Sequence, residues 1–155
     1  MKANLNPLQQ STISRNLYTK VFKNFIRLNE DSKSIVEHNI TSYITYCFEV
    51  LNFNLFHIAH ALVTMDRILR KQSKDFLSNV HRMLEIFIIA VEISYYMNFD
   101  KVRGFNELKE VLKAPSLAEL EVKYYEILGY EAYVQYEKAL PYKKLLENWT
   151  ASAGL

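Results

Sequence analysis

The chain has 155 residues, half of them hydrophobic, with only three Gly and three Pro, which favours one domain of long helices over a turn-rich β architecture. A net charge of +2 is too small to mark a nucleic-acid or anionic-membrane binder, and a single cysteine, Cys47, excludes a disulfide framework. The start, Met1-Lys2-Ala3-Asn4-Leu5-Asn6-Pro7, holds no apolar signal core, and the longest apolar run, Ile86 to Val91, falls far short of the ~20 residues of a bilayer span. The expected setting is the cytoplasm or nucleus, with no membrane partner.

In chain order, Met1 to Gln10 has little periodicity and reads as a loose arm. From about Ser14 to Leu28, Leu17, Val21, Phe25 and Leu28 recur at helical spacing, with Arg15, Lys20, Lys23 and Arg27 between them. This predicts an amphipathic helix whose basic face is either solvated or a dock for an acidic partner. Asn29 to Ser34 is a polar connector, and Asn39 is a suitable N-cap for a second helix carrying Ile40, Tyr43, Ile44, Cys47, Phe48 and Leu51 on one stripe. Cys47 in that stripe reads as inert packing.

Asn52-Phe53-Asn54 breaks the period, and a third helix is predicted from about Leu55 to Lys71. Its polar stripe is His57, His60, Thr64, Arg67 and Lys71. The two histidines could begin a metal site, but no third ligand has evident spacing, so they read as surface residues. Asp66 has Leu62, Met65 and Leu69 as helical neighbours, and a carboxylate on an apolar face needs a cation or donors; it is expected to be a partnered structural acid.

The stretch Ser78 to Met97 is apolar over well more than half of a helical circumference, with His81, Arg82, Glu85 and Glu92 in one narrow stripe. At roughly 30 Å for 20 residues it can cross a small domain. It therefore predicts the central rod of an all-helical domain, wrapped by other helices except along that stripe. Glu85 and Glu92 stand two turns apart, about 10 Å, too far for an acid pair. Phe99 to Pro115 is less regular. Ser116-Leu117-Ala118-Glu119 is a capping box for a helix that stops at Gly129. A connector then runs to Leu140, Pro141 at an N1 position opens a last helix ending near Trp149, and Thr150 to Leu155 is expected to fray. No phosphate loop, paired-Cys motif or activated nucleophile is recognisable, so neither catalysis, cofactor, metal nor small-molecule substrate is expected; binding is.

Several stretches together resemble a cyclin box, in particular that of the short single-box cyclins of the phosphate-regulation type. Asn79-Val80-His81-Arg82-Met83-Leu84 is similar to the Asn-x-His-Arg-Leu-Leu run opening their central helix. Phe56 to Leu62 followed by Met65-Asp66-Arg67-Ile68-Leu69 resembles the helix ending in Asp-Arg-hydrophobic-Leu, and Glu119-Leu120-Glu121 is like Glu-Leu-Asn-x-Leu-Glu. The resemblance runs from about Ile35 to Leu146. It implies residues 1–34 as an arm and flanking helix, 35–149 as a five-helix box with a buried third helix, and 150–155 as a tail.

The resemblance also implies a cell-cycle or related regulatory subunit of a cyclin-dependent protein kinase, performing no chemistry itself. A Glu that fixes the kinase in typical cyclins matches Glu121, whereas the partner Lys position falls on Glu92, a reversal of charge. The pair of Gly before the fourth box helix is replaced by Lys113-Ala114-Pro115, and a usual Tyr by Thr64. Asp66, Arg67, Asn79 and Arg82 fall on structural positions. The expected partner face joins Glu85, Ile88 or Ile89, Glu92 and Tyr96 on the central helix to Tyr130 and Ala132. Two other readings stand beside this one. A cyclin-fold nucleic-acid factor would need a clustered basic face, which interleaved acids argue against. A helical scaffold or homodimer would use the apolar residues of the acidic stripe.

Overall fold

The computed structural model describes residues 5–19, 30–72, 80–98, 117–129 and 133–151. Among these, all regular structure is helical, in six helices: α1 (Pro7–Leu17), α2 (Glu30–Glu49), α3 (Leu55–Leu69), α4 (Val80–Asn98), α5 (Leu117–Ile127) and α6 (Tyr136–Ala151). The expected all-α class is observed. The most extensive packing is between α3 and α4, followed by α3 with α6; α2 and α5 lean on α4, and α1 bridges α2 and α6.

Two helices share the centre where one was expected. Every residue of α4 from Ile86 to Tyr95 is buried, and so is every residue of α3 from Ile58 to Met65. Tyr43 of α2 stacks on Phe87 of α4, with ring centroids 6.1 Å apart. Each large apolar side chain taken fully from water contributes about 1.5–3 kcal/mol, so this central pair supplies much of the driving force.

α1 begins at Pro7, about two turns earlier than its apolar spacing suggested. Asn6 and Gln9 exchange bonds in a capping box, at 3.0 and 2.8 Å, and Pro7 occupies the first turn. The inner stripe is Gln10, Ile13, Ser14 and Leu17, two of them polar, and each polar one is satisfied: Gln10 donates to the Leu5 carbonyl and Ser14 to that of Gln10. Val21, Phe25 and Leu28 lie outside the described residues. α2 also starts early, at Glu30, so that Asn39 is inside the helix and not its cap, and the expected boundary between residues 34 and 35 falls within it. The stripe from Ile40 to Leu51 is buried throughout, as its spacing predicts.

The break between α2 and α3 is built from asparagines. Asn52 takes a positive φ of 57°, and the Leu51 and Phe53 N–H groups return to the Tyr46 and Cys47 carbonyls. Asn54 then caps α3: its Oδ1 accepts from the His57 N–H at 3.1 Å, while its own N–H donates to His57 Nδ1 at 3.0 Å. At the other end of the chain, α5 stops before Gly129 at φ +66°, whose N–H reaches the Glu126 carbonyl.

Pro141 does not open α6 but sits inside it. It removes the donor that would bond the Glu137 carbonyl, a cost of about 3 kcal/mol in a helix interior. Burial of Ala139, Leu146 and Trp149 outweighs that loss, and the helix continues through Pro141. Thr150 does not fray either; it is buried, with its hydroxyl donating to the Leu146 carbonyl at 3.0 Å.

Candidate functional site

The acidic stripe of α4 is not an open face. Glu92 is 2% exposed, Ile88 and Ile89 are fully buried, and Glu85 is half-buried; both carboxylates interact within the fold. The reason is the placement of α3, α2 and α5 around α4, which together leave no uncovered strip between Ile86 and Tyr95. A carboxylate so enclosed serves the interior rather than an approaching partner. Tyr96 and Arg82 lie on α4 and Glu121 on α5 with side chains outside the described part, and Asn79, Tyr130 and Ala132 lie outside the described residues altogether.

Much of the polar stripe of α3 likewise faces the protein: His60 and Thr64 are buried and His57 and Arg67 half-buried, while Lys71, just past the helix end, is exposed. Ser94 of α4 donates its hydroxyl to the His57 carbonyl at 2.7 Å, and Asn98 donates to His60 Nδ1 at 2.9 Å, which makes that nitrogen an acceptor. His60 is buried, contrary to the expectation of a surface histidine. No group of three or more His, Cys, Asp or Glu able to hold a metal occurs among the described residues. Thr64 is buried, and its hydroxyl has no hydrogen-bond partner among the described residues.

Further along the same stripe, Arg67 Nη1 donates to the Tyr133 carbonyl at 3.0 Å, and Lys71 Nζ to the Ile127 carbonyl at 2.7 Å. Ile127 ends α5, so its carbonyl is one of the four that a helix leaves without an internal donor. A cation there also meets the negative end of the helix dipole, worth about 0.3–1 kcal/mol at an exposed site. Asp66 has its cation: Arg70 Nε lies 2.9 Å from Oδ2, one turn away, the two side chains being 32% and 78% exposed. Tyr142 of α6 stands near this pair. Burial first, and then the Asp66 charge, raise its phenol above the ordinary range, with Arg70 opposing.

These contacts hold an aromatic edge that the sequence pattern did not single out. Tyr133 is 68% exposed and Tyr136 52% exposed, on either side of the buried Val134. Phe56 of α3 stacks on Tyr136 at 5.6 Å and 23°. Exposed tyrosines on a fixed support lose little conformational freedom on contact, which is why such residues dominate many interfaces. The spacing Tyr130, Tyr133, Tyr136 was the available signal. Cys47, by contrast, is sealed in the core, where burial pushes its thiol above the ordinary range, and acts as packing. No helix among the described residues is long and apolar enough to cross a membrane. Comparison with protein-family models, with curated proteins and with solved structures found no match to this chain.

Proposed function

We propose that the chain is a non-catalytic regulatory subunit that binds and activates a cyclin-dependent protein kinase, by binding its active conformation better than its inactive one. One observation carries this reading. The helix that carries the Asn-x-His-Arg-like run is, among the helices of the described residues, the third of five after α1, and it is enclosed from Ile86 to Tyr95. That is the place and the environment that the resemblance to a cyclin box requires of it. Since Glu92 and Ile89 point inward, the contact with the kinase falls on the exposed aromatic edge of Tyr133 and Tyr136, next in sequence to Tyr130 and Ala132.

The test is recovery of kinases from the source cell on immobilised wild-type protein and on a Tyr133→Ser, Tyr136→Ser double variant, with activity assayed on the bound fraction. Wild type retains an active kinase, and loss of two aromatic anchors weakens binding by about tenfold or more. Recovery of no kinase by wild type overturns the proposal.

The burial of Glu92 favours a second reading, a scaffold that binds a kinase without activating it. A carboxylate stands where typical cyclins use an exposed Lys, and it is taken up inside the fold. Kinase recovered in an inactive state would select this reading. A nucleic-acid role fits less well, because Arg67, Arg70 and Lys71 are engaged with Tyr133, Asp66 and Ile127.

A further inference from the structure

The geometry points to Arg67 and Lys71 as positioning residues for the partner contact. They act as two clamps, one in the last turn of α3 and one just past its end, that hold Tyr133 and Ile127 on either side of residues 130–132, and with Tyr133 the Tyr133–Tyr136 edge. This rests on the kinase-subunit reading.

On either side of residues 130–132 a buried side chain points inward, Leu128 after α5 and Val134 before α6. Apolar anchors set depth but not direction, since they act without preferred orientation. Direction comes from the two cations, each reaching across more than fifty residues of sequence to a backbone carbonyl on one side of the anchor. Lys71 holds the last residue of α5, one position before Leu128; Arg67 holds Tyr133, one position before Val134. The two grips are symmetric, each on the carbonyl that precedes a buried anchor. Both acceptors are neutral carbonyls, and the two donors continue the polar stripe of α3 four residues apart, Arg67 in its last turn and Lys71 two residues past its end. That stripe cannot shift without the other helices, because His57 and His60 on it are tied to α4. Tyr136 is fixed from the same helix by the stack on Phe56. The exposed edge therefore takes its orientation from α3 and its depth from the core, and a partner meets it already ordered.

The prediction is that removing the clamps leaves the fold and loosens the edge. In an Arg67→Gln, Lys71→Met double variant, the thermal midpoint and the amide exchange of buried α4 residues stay near wild type. Exchange at Leu128 and Gly129, whose N–H groups donate to the Tyr124 and Glu126 carbonyls, rises by about tenfold. The kinase recovered by wild type then dissociates faster by about tenfold, and Lys71→Arg in place of Lys71→Met restores part of the residence time. A purely structural role would move the midpoint and leave the dissociation rate of the folded fraction alone. Unchanged exchange at Leu128 and Gly129, or unchanged dissociation of the kinase, overturns the positioning role while the kinase reading stands. A wild-type chain that recovers no kinase overturns the kinase reading, and the positioning role with it.

Discussion

The two sides of α3 are built on different physics. Toward α4, contact is apolar and continuous, Ile58 to Met65 against Ile86 to Tyr95, with two hydrogen bonds at one end of the seam. Toward the α5–α6 connection, contact is a few polar grips and one aromatic stack at the surface. The first side fixes whether the chain folds; the second fixes where exposed side chains point. A substitution on the first side changes partner binding only through the folded population, whereas one on the second changes binding with the fold intact.

The largest expected effect breaks the first side. Phe87→Ala removes a fully buried ring stacked on Tyr43 and should cost about 3–5 kcal/mol in urea unfolding. A loss below about 1 kcal/mol would mean that α4 is not the packed core described above.

A second effect comes from alkali. Burial raises the Cys47 thiol above its ordinary 9.0 and the Tyr43 phenol above 10.0. Their contribution to stability is therefore whole below the unfolded values and declines as pH rises beyond them, because the unfolded chain releases protons that the folded chain retains. Each group that is ionised only when unfolded lowers stability by about 1.4 kcal/mol per pH unit. Urea midpoints compared on either side of pH 9 should show the decline, and Tyr43→Phe should flatten its upper part. A midpoint that is level through this range would contradict the enclosure of both groups.

The smallest effect lies on the second side. Asp66→Asn removes a pair exposed on its Arg partner, for which about 0.3–0.5 kcal/mol is expected. Thermal unfolding at low and high salt should barely separate the variant from wild type. A loss several times larger would show that Asp66 serves α6 through Tyr142 and not merely Arg70.

The central helices were legible because their apolar residues recur at helical spacing over several turns, and the α2–α3 break because Asn52 and Asn54 announce it. Gly129 marked the end of α5 for the same reason: few other residues take a positive φ without strain. What failed was inference from polarity to exposure. Gln10 and Ser14 hide inside α1 by bonding to nearby carbonyls, His60 is taken up by Asn98, and Glu92 interacts within the fold. A helical wheel treats a polar residue as outward, and it has no term for a partner supplied from elsewhere in the chain. The Tyr133–Tyr136 edge was missed because the span up to Leu140 reads as a connector, whereas α6 already begins at Tyr136 and Phe56 holds that ring. Pro141 misled because its preference for a first turn is strong, while the burial that carries α6 through it is tertiary.

α1 rests on both α2 and α6. One of its neighbours is thus made soon after it on the ribosome and the other more than a hundred residues later. Until α6 emerges, Ile13 and Leu17 have half a seat, and the contact that completes it spans almost the whole described chain. Closing so long a loop is entropically slow compared with pairing successive helices, so the nascent chain should acquire its α3–α4 centre first and lock α1 last.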